Sequence, residues 1–215
     1  MRKKRFHAAS GVLLIAMGLT ACDDVRTDKA PEALPASQVC GGTLSAAGAA
    51  ALRRIGGQEK YTELEDPGRW SPGTAAKRLE DSADSDYECS LYLEGDDSGT
   101  PLMMIGFTAR KSHPDPSEAA KDPDHGQVLY PLGVYASVGG DTAASLFFEC
   151  PTKRSEGGTR YVKASMYTSK GKMKADAGGK DRMAVLNDVS RALAEELGCA
   201  AKAKLPAEVP EALAG

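Results

Sequence analysis

Alternating hydrophobic and polar positions in the middle of the chain predict β-strands. The clearest alternation places Tyr87, Cys89, Leu91 and Leu93 between more polar residues, and a period of two puts these four on one face of a strand. Similar stretches follow in LMMIGFTAR, VLYPLGVYASV, AASLFFEC and TRYVKASMYT. We therefore predict about five strands, joined by turns such as GDDSGTP. Pro131 indicates that its strand starts late or lies at a sheet edge.

Helical patterns flank these strands. LSAAGAAALRRIGG follows Cys40 and predicts a helix with Ser45 as its N-cap and Gly56 as its stop. Near the other end, DRMAVLNDVSRALAEELGC predicts a helix that ends at Gly198. Its inward positions are Met183, Leu186, Val189 or Ser190, Leu193 and Leu197, and its outward positions are Arg182, Asp188, Arg191 and Glu195. The polar segment Gly57–Ser85 predicts at most one short helix, TAAKRLEDS.

This order of elements predicts an α+β fold. We expect an antiparallel sheet of about five strands, with the N-terminal and the C-terminal helix packed on one of its faces. The folded domain is predicted over residues 38–199, which is long enough for one hydrophobic core.

The first 21 residues have the organisation of an export signal. The basic block Arg2–Arg5 precedes the apolar or small stretch Ala8–Ala21. That stretch is shorter than the roughly 20 residues a transmembrane helix needs, and it fits the apolar region of a signal peptide. An ordinary secretory signal and an uncleaved anchor are the alternatives.

The sequence Leu19-Thr20-Ala21-Cys22 resembles the bacterial lipobox. This resemblance implies cleavage before Cys22 and acylation of the Cys22 thiol by diacylglycerol, which would hold the chain at the extracytoplasmic face of the cell membrane. Residues 1–21 are then a lipoprotein signal peptide and the polar, proline-containing residues 22–37 a flexible tether. Residues 200–215 are predicted as a flexible C-terminal tail.

The chain as a whole resembles the small lipoproteins abundant in actinobacteria, a group without assigned activity. The resemblance rests on the lipobox, the tether, Cys40 directly before an alanine-rich helix, and the final helix that closes on Gly198 and Cys199. It implies a location in the cell envelope.

Four cysteines besides Cys22 indicate disulfides in an exported chain. They are Cys40, Cys89, Cys150 and Cys199. Three pairings are possible, and we favour the sequential one, in which Cys40 bonds Cys89 and Cys150 bonds Cys199. A zinc site is disfavoured because the sequence has neither a C-x-x-C motif nor a zinc-type cysteine–histidine spacing.

Charge argues against nucleic acid as a partner. Without the four cations Arg2–Arg5, the mature chain has 23 Lys and Arg against 30 Asp and Glu, a net charge of −7. A chain with a net negative charge repels the phosphate backbone of nucleic acids. The same charge argues against a polybasic patch that would bind anionic lipids.

The candidate chemical sites all have a plainer structural interpretation. The segment KSHPDPSEAAKDPDHGQ holds His113 and His125 beside Asp115, Glu118, Asp122 and Asp124, which could ligate a divalent metal, but its prolines and charges favour a solvated connection. Ser169 and Lys172 form S-x-x-K in a glycine-containing turn. Trp70 either stacks on a ligand or covers a core edge. Tyrosines 61, 92, 130, 135 and 161 are candidates for an exposed face.

No catalytic residue, metal site or cofactor is therefore predicted. We expect a non-catalytic binding or accessory module, attached to the membrane by the lipid on Cys22, with an unknown envelope protein or small ligand as its partner. The alternative is an envelope enzyme whose site is assembled from distant residues.

Overall fold

The structure is a computed structural model that describes residues 32–63, 69–81, 88–119, 126–152, 159–175 and 177–213. The chain divides into two units, Met1–Ala30 and Pro31–Gly215. All described residues belong to the second unit. The predicted signal peptide, Cys22 and most of the predicted tether lie outside the described residues.

An antiparallel sheet spans the described part of the chain. Its strands are β1 (Ala33–Pro35), β2 (Lys60–Glu63), β3 (Cys89–Leu93), β4 (Met103–Arg110), β5 (Gln127–Leu129), β6 (Tyr135–Gly139), β7 (Ala143–Thr152) and β8 (Thr159–Thr168). The spatial order is β1-β2-β3-β4-β8-β7-β6-β5, and every pair of neighbours is antiparallel.

The helices are mostly short. They are α1 (Ala46–Gly56), α2 (Pro72–Asp81), α3 (Pro116–Ala119), α4 (Gly179–Glu196) and α5 (Ala200–Ala203), with a 3₁₀ turn at Cys40–Gly42. The main core lies between α1, α2 and α4 and the sheet positions that alternate inward, such as Ile105, Leu146, Phe148 and Val162. The predicted α+β class with an antiparallel sheet is confirmed.

The predicted number of about five strands is wrong, because the described residues form eight. Strands β1 and β2 are only 3 and 4 residues long, which is too short to produce a clear alternating pattern. The stretch VLYPLGVYASV also divides into β5 and β6. Gly133 lies between them with φ +56°, and a Cβ there would overlap the carbonyl oxygen of Phe147, so the chain turns where the pattern predicted one strand.

The ends of α1 follow from local chemistry. The Ser45 side chain accepts a hydrogen bond from the Gly48 amide at 3.1 Å, as an N-cap does. The left-handed C-cap is Gly57, with φ +69°, one residue beyond the predicted stop. Gly56 is the last helical residue, and its lack of a side chain leaves room for the Tyr61 ring, since a Cβ there would lie 2.7 Å from it.

Two disulfides join the helical and sheet layers. Cys40 bonds Cys89 of β3 with a Cα–Cα distance of 5.5 Å, and Cys150 of β7 bonds Cys199 with 5.3 Å. The sequential pairing is thus confirmed. Bonded cysteines are typical of proteins in an oxidising, extracytoplasmic compartment.

The outward assignment of Arg182 and Asp188 on α4 is wrong, since both residues are 4 % exposed. Arg182 donates to the carbonyl oxygens of Gly140, at 3.0 Å, and Asp141 in the β6–β7 turn. Burial lowers the pKa of its guanidinium from the ordinary value. The buried charge of Arg182 is thus compensated by carbonyl oxygens of a distant turn, which helical periodicity does not reveal.

The fold extends beyond residues 38–199 at both ends. Strand β1, inside the segment predicted as a tether, pairs with β2. After α5, Leu205 and Val209 pack against the core, and the Leu213 amide donates to the Leu129 carbonyl oxygen at 2.8 Å. The segment predicted as a tail therefore runs along α4 to the edge strand β5.

A salt bridge at the β3–β4 turn predicts a specific pH dependence. Lys172 Nζ lies 2.5 Å from Asp96 Oδ2 and 2.9 Å from Ser98 Oγ. The hydrogen bond from Lys172, followed by those from Ser98, lowers the pKa of Asp96 to about 2. Since the folded-state pKa lies below the ordinary value of 3.8, the stabilisation is complete above about pH 4 and is lost as the pH falls through about 2.

We expect Asp96→Asn to flatten the dependence of the free energy of unfolding on pH between 4 and 2. Urea titrations at several pH values measure it. The control is Asp97→Asn, which removes an equal charge from the same turn and leaves the Lys172–Asp96 pair in place. An unchanged slope in Asp96→Asn would show that the pair does not couple folding to protonation.

Candidate functional site

A cavity of about 240 Å³ lies between α1, α4 and the segment that follows α5. Its lining residues are Ser45, Ala47, Gly48, Arg54, Lys180, Asp181, Ala184, Asn187, Asp188, Ala207, Glu208 and Val209. Small residues from both helices form part of this lining, and charged side chains contribute the rest. The volume is just below the roughly 300–1,000 Å³ of sites for drug-sized ligands, so the cavity suits a small molecule.

One end of the cavity is a buried contact between the two helices. Oδ2 of Asp188 accepts hydrogen bonds from the Ser45 amide at 2.9 Å and from the Ser45 hydroxyl at 2.6 Å. The Asp188 side chain is 3 % exposed and lies 3.9 Å from Nη1 of Arg191. Gly48 leaves the space for this carboxylate, because a Cβ there would overlap Oδ2.

Two ion pairs flank the other end. Nη2 of Arg54 lies 2.6 Å from Oδ1 of Asp181, and the hydrogen bond with Asp181 raises the pKa of Arg54. Lys180 pairs with Glu211 of the C-terminal segment. Both cations of the lining are therefore already balanced by carboxylates.

Asn187 connects the cavity to its third wall. Its Nδ2 donates to the Pro206 carbonyl oxygen at 2.8 Å, which fixes the orientation of the side-chain amide. The residue is 1 % exposed, and within the described residues no donor reaches Oδ1. A buried acceptor without a partner is costly, so Oδ1 lowers the stability of this contact between α4 and the C-terminal segment.

The remaining charge of the lining is negative. After the pairs Arg54–Asp181, Lys180–Glu211 and Arg191–Asp188, the carboxylate of Glu208 is left without an ion pair in the described part of the chain. Glu208 is exposed, so the cavity presents this carboxylate to solvent.

The residues of the predicted metal segment are only partly described. Asp122, Asp124 and His125 lie outside the described residues. Nδ1 of His113 lies 2.7 Å from the Pro114 carbonyl oxygen, and its ring meets Tyr161 edge-on with 4.7 Å between centroids. Asp115 Oδ1 accepts from the amide and the hydroxyl of Ser117, both at 2.8 Å. Among the described residues, His, Cys, Asp and Glu form no group that could hold a metal ion.

The other sequence candidates have structural roles. Trp70 is 1 % exposed and stacks on Phe107 with 6.0 Å between ring centroids. Ser169 donates from its hydroxyl to the Pro101 carbonyl oxygen at 2.6 Å, whereas Lys172 pairs with Asp96. The two residues of the S-x-x-K sequence therefore serve separate contacts.

Most of the tyrosines proposed for an exposed face are not exposed. Tyr61, Tyr130 and Tyr135 are buried, while Tyr92 and Tyr161 are half-buried. Burial raises the pKa of Tyr61 to about 12, and its hydroxyl lies 3.0 Å and 2.8 Å from the Leu52 and Gln58 carbonyl oxygens. The exposed tyrosine of the described sheet is Tyr167, which was not among the tyrosines predicted for an exposed face.

Sequence reasoning missed the cavity residues, although one signal was available. Asn187 is the single asparagine of the chain and follows Met183 by four residues, so it shares the inward face of α4. A polar amide at a predicted core position indicates a buried polar contact. Its partner Pro206 lies in another segment and carried no such signal.

The comparisons with known proteins add no family assignment. No protein-family model, no curated protein and no solved structure matches the chain. In the described ranges, no helix combines the length and the apolar character needed to cross a membrane.

Proposed function

We propose that the chain is an extracytoplasmic lipoprotein whose folded domain binds a small polar ligand without catalysing a reaction. The observation that carries the binding role is the cavity of about 240 Å³ between α1, α4 and the segment that follows α5, whose lining combines small and charged residues. The side chain proposed to face the ligand is Glu208, an exposed carboxylate of the lining.

The anchoring part of the proposal is supported by the lipobox-like sequence Leu19-Thr20-Ala21-Cys22. The disulfides Cys40–Cys89 and Cys150–Cys199 fit the same compartment. In this proposal the lipid on Cys22 holds the domain at the membrane. The partners are then the membrane, through that lipid, and a small ligand in the cavity.

Native mass spectrometry of the chain from a membrane fraction of its host tests both parts. We expect a chain that begins at Cys22, carries diacylglycerol and lacks four hydrogens because of the two disulfides. We also expect an adduct that leaves on collisional activation. A chain with no adduct under conditions that retain known weak ligands of other proteins would contradict the binding role.

The Cys22→Ser variant tests the anchor separately. We expect the variant to lose the lipid mass and to leave the membrane fraction, because a serine offers no thiol for acylation. The matched control is Thr20→Ser, which keeps a small residue in the motif and should remain lipidated. Acylation of Cys22→Ser, or a wild-type chain without a lipid, would show that this sequence is not a lipobox.

A further inference from the structure

We propose that the face of the sheet opposite the helices binds an uncharged glycan. This outer face consists of the residues of β4, β6, β7 and β8 that alternate with core positions. It lies on the other side of the sheet from the cavity between α1 and α4, so this inference goes beyond the proposed function. The contacts that we assign to the glycan are a row of serine hydroxyls, the ring of Tyr167 and the charged ends of Lys163 and Glu88.

A row of serines crosses the outer face from strand to strand. Ser145 of β7 lies opposite Ser137 of β6 on one side and opposite Ser165 of β8 on the other. The serine side chains point away from the core, because the residues next to them along each strand are core residues. These core neighbours are Ala136, Val138, Ala144, Leu146, Ala164 and Met166. Since neighbouring strands are about 4.8 Å apart, the row presents three hydroxyls at regular intervals.

The hydroxyls of this row are left to a ligand. In the described part of the chain, no hydrogen bond reaches the side chains of Ser137, Ser145 and Ser165. Ser137 is 6 % exposed, and its hydroxyl oxygen keeps contact with solvent, in contrast to the enclosed Oδ1 of Asn187. A hydroxyl this deeply buried is costly unless a partner satisfies it. A glycan supplies such partners, because its hydroxyls donate and accept as those of serine do.

A side-chain bridge closes the row at its Ser137 end. The side chain of Gln127 starts beside Gly139, where an added Cβ would lie 3.8 Å from its Cγ. Its Oε1 accepts a hydrogen bond from the Tyr135 hydroxyl at 2.9 Å. The bridge between these two positions crosses over Ser137, which lies between them on β6. The row is therefore a groove that ends at Gln127 and is open above the other two serines, which are half-buried.

Tyr167 supplies an aromatic surface beside the row. It follows Ser165 by two residues, so it lies on the same face, and it is 48 % exposed. Its neighbour on β7 is the small Ala143, which leaves the ring accessible. A tyrosine ring offers an apolar face on which the C–H groups of a sugar ring can pack. The hydroxyls of that sugar remain available for the serines.

The charges that border the row balance each other. Lys163 precedes Ser165 by two residues on the same face, its Nζ lies 5.8 Å from the centroid of the Phe147 ring, and within the described residues it forms no ion pair. The Glu88 carboxylate lies over Gly106, the neighbour of Ser165 on β4, where an added Cβ would be 2.8 Å from Oε1. One cation and one anion favour neither a polyanion nor a polycation. Both groups can form charge-assisted hydrogen bonds with the hydroxyls of an uncharged partner.

The experiment applies the lipidated chain, in micelles of a detergent without a sugar headgroup, to an array of immobilised glycans. The array carries neutral oligosaccharides and oligosaccharides with carboxylate, sulfate or free amino groups. We expect saturable binding to neutral glycans, and isothermal titration calorimetry with the strongest of them then measures the affinity in solution. Absence of binding to every neutral glycan, or stronger binding to charged ones, would overturn the inference.

The first variant tests the aromatic contact. Tyr167→Ala should weaken glycan binding about tenfold, as truncation of a tyrosine at the centre of a contact does. The matched control is Val128→Ala, because Val128 is exposed to a similar extent, 44 %, but lies opposite the core residue Val138 and so faces the other side of the sheet. This control should bind as the wild type does. Equal affinities in Tyr167→Ala and the wild type would contradict the assigned surface.

A second pair of variants tests the serine row. Ser165→Ala should weaken binding about threefold to tenfold, as the loss of one hydrogen bond does, whereas Ser165→Thr keeps a hydroxyl and should retain most of the affinity. Urea denaturation of both variants checks that the affinity changes without a matching loss of stability. If Ser165→Ala bound as tightly as Ser165→Thr, the hydroxyl would not contact the glycan.

A last variant separates the outer face from the cavity. Glu208→Gln changes a carboxylate of the cavity lining and should leave glycan binding unchanged, while the adduct in native mass spectrometry tests the cavity. If Glu208→Gln weakened glycan binding and Tyr167→Ala did not, the glycan would bind in the cavity. That result would overturn this inference and support the proposed function.

Discussion

Replacing Gly48 with alanine is expected to lower the free energy of unfolding by about 2–4 kcal/mol, as overpacking combined with loss of a charged hydrogen bond does. The new Cβ would overlap Oδ2 of Asp188 and lie 3.1 Å from its Cγ. The carboxylate would have to move away and lose the hydrogen bonds that the Ser45 amide and hydroxyl donate to it at 2.9 Å and 2.6 Å. Chemical denaturation of the oxidised protein measures this loss.

The matched control is Gly73→Ala in α2, where the nearest atom, Oε2 of Glu196, would lie at an ordinary 3.6 Å from the new Cβ. This change should be neutral or stabilising by up to about 1 kcal/mol, because alanine is the better helix former. In the double variant Gly48→Ala/Asp188→Ala, the loss in the free energy of unfolding should be smaller than the sum of the losses in the two single variants, because both substitutions disrupt the same contact. A Gly48→Ala protein as stable as the wild type would show that α1 and α4 can separate without cost.

Removal of the Cys150–Cys199 disulfide by alanine at both positions is expected to destabilise the domain by about 4 kcal/mol, the chain-entropy value for a loop of this length. The bond closes a sequence separation of 49 residues. It joins β7 to the start of α5, after which the chain forms the third wall of the cavity. Denaturant unfolding under non-reducing conditions gives the difference.

The chain offers a comparison of the two disulfides at equal loop length. Cys40–Cys89 also spans 49 residues, so the chain-entropy model predicts the same loss for Cys40→Ala/Cys89→Ala. Equal losses would indicate that each disulfide stabilises the fold by restricting the unfolded chain. Unequal losses would indicate that contacts of the disulfides in the native state also contribute. A loss under about 1 kcal/mol for both pairs would contradict the entropic argument.

The cavity shows where prediction from the sequence reaches its limit. Asn187 was identifiable as a polar residue on the inward face of α4, since it follows Met183 by one helical turn. Its function as a hydrogen-bond donor to Pro206 and a lining residue beside Ser45 depends on a segment after α5 and on the start of α1. Local periodicity has no information on such contacts.

The sequence by itself determined the features that arise within a few residues. Ser45 as an N-cap, the strand patterns of β3, β4, β7 and β8, and the helical face of α4 follow from caps and periodicities that act locally. The even number of exported cysteines indicated disulfides, and the preferred pairing was present in the structure.

Only the tertiary structure decided the features that depend on distant partners. The short strands β1 and β2 are defined by their pairing with neighbouring strands, because three or four residues are too few to show an alternating pattern. Asp188 is buried because Ser45, 143 residues away in sequence, supplies two donors, and Arg182 because a turn 41 residues away supplies carbonyl oxygens. Burial of a charge is stable only where such partners meet it, and their meeting is a property of the whole fold.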